Sequence, residues 1–123
     1  MFNSIEPVSS IEDLTERVRY LRVIEALEKP TLDAEDRRRM EQSLASLTAI
    51  SHAQDYLTEG KITHPPTNTY YFSRASRGYQ GKDLREQVRN TKAVLQDALE
   101  RNEGVADERT MDFLHKLSGF GFN

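Results

Sequence analysis

The chain has 123 residues, 37% of them hydrophobic and 30% charged, with a net charge of −3. That length fits one domain, and so high a charged fraction suits thin helical layers, a helical hairpin or an oligomer better than a thick globular core. Zero cysteines exclude disulfides, thiolate nucleophiles and cysteine-ligated metals.

The first nine residues read as an irregular lead-in. Ser9 and Ser10 are both good helix N-caps, and Glu12 stands at capping-box distance from Ser9. A first helix is expected from there to about Glu28, with Ile11, Leu14, Val18, Leu21 and Ile24 recurring at three- and four-residue steps. Tyr20 and Leu27 widen that stripe, and Pro30 ends it. Asp33 is the expected cap of a second helix, because Glu35 and Asp36 fall in a first turn where the helix dipole favours negative charge.

The second helix should run from Ala34 to about Glu59, with Met40, Leu44, Leu47, Ile50, Ala53 and Leu57 as its stripe and Gly60 as its stop. Joined by a short proline-containing turn, the two helices read as an antiparallel hairpin. From Lys61 to Gly81 the pattern breaks. His64-Pro65-Pro66 forbids helix locally, Thr69 to Phe72 has strand propensity, and Arg74 to Gly81 has turn chemistry. An irregular connection or a short β-hairpin is expected there.

A third helix should open near Lys82 or Asp83 and close at Gly104, with Leu84, Val88, Thr91, Leu95 and Ala98 alternating four and three residues apart, the spacing of a coiled-coil seam. A short fourth helix, about Glu108 to Leu117, is capped by Asp107 and carries Met111, Leu114 and Leu117 on one face with Phe113 alongside. Gly119 to Asn123 forms a tail bearing Phe120 and Phe122. The fold class is all-α.

Charge is distributed unevenly along this plan. Residues 1–60 hold seven basic and twelve acidic side chains, residues 61–92 seven and two, and residues 93–123 three and six. The basic segment also contains Tyr70, Tyr71, Phe72 and Tyr79. With Arg74, Arg77 and Lys82, extended by Arg85 and Arg89 four residues apart on the third helix, these aromatics make the expected partner- or anion-binding strip. Arginine forks bind carboxylates and phosphates, the amino end of a helix adds partial positive charge, and tyrosine rings stack bases or cover apolar patches. The structural alternative folds the aromatics back onto the hairpin core and pairs the arginines with the acidic body.

Arg37-Arg38-Arg39 sits between Glu35, Asp36 and Glu41, so pairing within the helix is expected. His52, His64 and His115 have no carboxylate at ligand spacing, and neither a metal nor a cofactor is expected. No serine or cysteine nucleophile motif occurs. Gly78-Tyr79-Gln80-Gly81-Lys82 lacks the Ser/Thr and the preceding strand of a phosphate loop, so no enzymatic activity is expected. Phe120 and Phe122 are a possible second anchor.

The functional expectation is therefore an interaction protein, in the manner of an adaptor, assembly factor or phage-type inhibitor. It would bind a macromolecular partner, a protein first and a nucleotide or nucleic acid as the alternative, and self-associate as a dimer. No apolar run approaches the roughly 20 residues of a membrane span, and the opening residues carry no signal-peptide pattern, so no membrane association and a cytoplasmic location are expected.

Overall fold

A computed structural model describes residues 11–59 and 82–119, which contain four helices and no strand. They are α1 (Ile11–Leu27), α2 (Ala34–Glu59), α3 (Lys82–Arg101) and α4 (Glu108–Ser118). The expected irregular or β-hairpin stretch at 61–81 lies outside the described residues, as do Ser9, Ser10 and Gly60. The helices pack in a closed circuit, α1 on α2, α2 on α3, α3 on α4 and α4 back on α1. No described helix is long and apolar enough to cross a membrane.

The α3 seam is the most regular part of the core. Leu84, Val88, Thr91, Leu95 and Ala98 are all buried, as the spacing predicts. From α2 come Met40, Leu47 and Ile50, and from α4 Phe113, Leu114 and Leu117. On α1 the carboxyl half of the expected stripe is buried, with Tyr20, Ile24 and Leu27 in the core, but the amino half is not. Ile11 is 81% exposed, Leu14 41% and Val18 37%, and Arg17, Val23 and Ala26 are buried instead. The reason is that this helix turns a polar pair, Glu16 and Arg17, inward to meet polar groups on α2 and α4.

Both turns follow local rules. Asp33 caps α2 in a reciprocal box: its carboxylate accepts from the Asp36 backbone N–H at 2.8 Å, and its own N–H donates to Asp36 Oδ2 at 3.0 Å. Lys29 donates to the buried Asp36 carboxylate at 3.0 and 3.1 Å. Asp107 caps α4, accepting from the Thr110 N–H at 2.9 Å. The third helix closes three residues before Gly104, with Asn102 in the left-handed region at φ 57°. Asparagine tolerates that conformation better than most residues, so it performs the stop expected of the glycine.

Gly104 has a different task. The turn after α3 lies against the turn after α1: the Gly104 N–H donates to Lys29 O at 2.9 Å, and the Leu32 N–H donates to Asn102 O at 3.1 Å. A Cβ on Gly104 would sit 2.6 Å from the Lys29 oxygen and from the Leu27 carbonyl carbon, and closer still to the Leu27 oxygen. Arg37 adds a side-chain tie, its guanidinium donating to Leu99 O at 2.8 Å and Asn102 Oδ1 at 3.0 Å. Arg38 and Arg39 pair with Glu35 within α2 as expected, but Arg37 reaches across to α3.

At the opposite pole, Arg17 closes the bundle. Its Nε donates to Ser118 O at 2.8 Å and its Nη2 to Gly119 O at 2.8 Å, so a buried guanidinium satisfies carbonyls at the carboxyl end of α4. Beside it Glu16 accepts from Ser46 of α2 and from Arg19.

Two stability predictions come from these caps and turns. Gly104→Ala should destabilise the fold by about 2–4 kcal/mol, because backbone of two turns must separate to admit one methyl; chemical denaturation measures it, and a neutral result would remove the turn contact from the account. Hydrogen bonding from Thr110 holds the Asp107 carboxyl below the ordinary aspartate range. A lowered folded value means stability that is complete above the unfolded value near 4 and is lost as pH falls through the folded one. Asp107→Asn, which keeps a capping oxygen but cannot titrate, should therefore flatten the fall of melting temperature in acid, read from melts between neutral pH and pH about 2.

Candidate functional site

Arg85, Arg89 and Lys92 stand four and three residues apart on α3, so they form one line about 10 Å long on a single helical face. They edge a groove of about 480 Å³ between α3 and α2. Val88 forms its buried floor, Ala93 and Gln96 continue the α3 wall, and Ser51 stands on the α2 side. Among the described residues no carboxylate lines it.

Two of the groove's cations differ from the rest of the described surface in how they are satisfied. Arg19 pairs with Glu16, Arg22 with Glu25, Lys29 with Asp36, Arg38 and Arg39 with Glu35, Arg101 with Asp97, and Lys116 with Asp112. Hydrogen bonding to Arg38 holds the Glu35 carboxyl below the ordinary glutamate range, and bonding to Asp36 raises the Lys29 ammonium. Arg89 and Lys92, by contrast, make no ion pair or hydrogen bond with another described residue. Two cations without a partner among the described residues, side by side on one helical face, are an arrangement suited to receive an anion.

The structure thus brings together two residues of the predicted strip, Arg85 and Arg89, and adds Lys92 and Ser51, which sequence reasoning missed. The three-residue step from Arg89 to Lys92 continues the same face and could have flagged the lysine. Lys82 opens α3. Tyr70, Tyr71, Phe72, Arg74, Arg77 and Tyr79, and the tail residues Phe120 and Phe122, lie outside the described residues.

A second groove, of about 530 Å³ between α3 and α4, is lined by Gln87, Glu108, Arg109 and Asp112. Its centre is already satisfied. Buried Gln87 donates to Thr91 Oγ1 at 3.2 Å and Arg109 O at 3.4 Å, and accepts from Arg109 Nη2 at 3.3 Å. That network ties two helices together. Among the described residues no group of three or more histidines or carboxylates could hold a metal.

Comparison with protein families, with curated proteins and with solved structures found no match to this chain.

Since Arg89 and Lys92 have no described partner to lose, Arg89→Ala and Lys92→Ala should each leave stability within about 0.5 kcal/mol of the parent. Thermal melting checks this, and a large loss in either variant would show that the cation serves the fold.

Proposed function

We propose that the protein is a non-enzymatic interaction protein that receives an acidic segment of a partner protein in the α2–α3 groove, with Arg89 and Lys92 meeting its carboxylates. The observation that carries this reading is the pair of cations, Arg89 and Lys92, unpartnered among the described residues of a chain whose other described surface cations are largely ion-paired. Val88 and Ala93 add apolar contact between the charges, which suits a peptide segment with mixed character.

Net charge argues for a protein rather than a nucleic acid. The chain as a whole carries −3, so a long phosphate backbone would be repelled beyond the short footprint of the groove. The basic and aromatic residues from Tyr70 to Tyr79 precede α3 in the sequence, Lys82 opens it, and together they extend the same proposal. Their tyrosines and phenylalanine would supply the aromatic anchors that dominate protein interfaces.

The test compares two labelled probes, a poly-glutamate peptide and an oligothymidine of equal charge. The peptide should bind the parent protein, and Arg89→Ala/Lys92→Ala should weaken it about tenfold, two contacts at roughly 0.7 kcal/mol each. Tighter binding of the oligothymidine, falling steeply with salt, would favour the nucleic-acid alternative. Peptide affinity unchanged in the double variant would end the groove assignment.

A further inference from the structure

An apolar stripe on α1 remains open: Ile11, Leu14 and Val18 are the exposed large hydrophobic residues among those described. With about 100° of rotation per residue, the three fall within roughly 60° of one another around the helix. Their place in the bundle is fixed by the residues between them. Glu16 faces α2, where Ser46 donates to it, and Arg17 faces the carboxyl end of α4. Rotating in the same sense from Glu16 through Arg17 leads next to Val18 and Leu14. The stripe therefore borders α4 on the side away from α2.

The chain leaves α4 at this place. Gly119, at φ 66°, turns the backbone out of the helix, its N–H bonded to His115 O and Lys116 O and its carbonyl held by Arg17 Nη2. A Cβ there would meet the guanidinium at 2.8 Å, so the turn is pressed onto the Arg17 side chain of α1. Gly119, the last described residue, lies against the Arg17 side chain next to the stripe. Three residues of extended chain reach about 10 Å, and from Arg17 to Ile11 is about 9 Å along the axis. Phe120 and Phe122 are two apart, the spacing that puts side chains on one side of an extended backbone.

We propose that the α1 stripe is the seat of the chain's own segment Phe120–Phe122, the two rings covering Leu14, Val18 and Ile11 along the α1–α4 seam. The phenylalanines then serve the bundle's open pole, with Arg17 as the clamp that aims them, instead of anchoring a partner.

The chain has no cysteine, so engineered pairs can be oxidised without side reactions. Leu14→Cys/Phe122→Cys, and independently Val18→Cys/Phe122→Cys, should close within single chains at a yield that does not change on dilution. Glu41→Cys/Phe122→Cys, with its first cysteine on the exposed face of α2, should stay reduced. Cross-linked dimers that grow with concentration would instead give the stripe to a second copy, and thiols that stay free in both pairs would overturn the proposal. A second measurement needs no cross-link. Phe122→Ala and Leu14→Ser should each lower the melting temperature by roughly 3–5 °C, and the combined variant by little more than either. Additive losses would show that the two residues do not touch.

Discussion

Two backbone hydrogen bonds and one missing methyl group hold the two turns of this bundle together. Gly104 lets the turn after α3 settle against the carbonyls of Leu27 and Lys29, and the bonds from Gly104 to Lys29 and from Leu32 to Asn102 then align the two helical pairs. That contact fixes the level at which α3 ends beside α2, where Arg37 crosses over. From the same level, α1 and α4 run to the far pole, where Arg17 meets the carbonyls of Ser118 and Gly119.

Charge has two roles in the structure. Over most of the described surface, acids and bases are neighbours on one helix, three or four residues apart, and their worth in stability is small. Inside, Arg17, Glu16 and Asp36 are buried and held by backbone or side-chain partners from other elements. Those interior groups specify which helix lies beside which, because a buried charge tolerates few arrangements. Arg89 and Lys92 belong to neither set among the described residues, and that contrast is what makes them the candidate for recognition.

Helix positions were legible because each is written locally. Asp33 and Asp107 stand where caps belong, and the α3 seam alternates four and three without a break, so periodicity identified its buried residues directly. On α1 the same reasoning placed Leu14 and Val18 inside, because hydrophobicity ranks them above Arg17 and Glu16. What reversed the order was a pair of carbonyls on a helix about a hundred residues away, invisible to any local pattern. Gly104 likewise reads as a helix stop from composition, while its real constraint is a backbone from another turn. In the site, Arg85 and Arg89 were visible as a basic run. That Arg89 and Lys92 meet no partner among the described residues, which gives the run its meaning, depends on how α2 lies against α3.

The separation of the two clamps to opposite poles has a mechanical consequence. The turn contact lies at one pole, and the attachments before Ile11 and after Gly119 both leave from the other. A pull applied through those two attachments would load α1 and α4 as a zipper, opening the Arg17 contacts first and the seam one turn at a time. Gripped instead at Gly104 and at the start of α1, the same helices would be loaded in shear, with many contacts resisting together. The molecule is thus mechanically anisotropic, compliant from its open pole and stiff along its length.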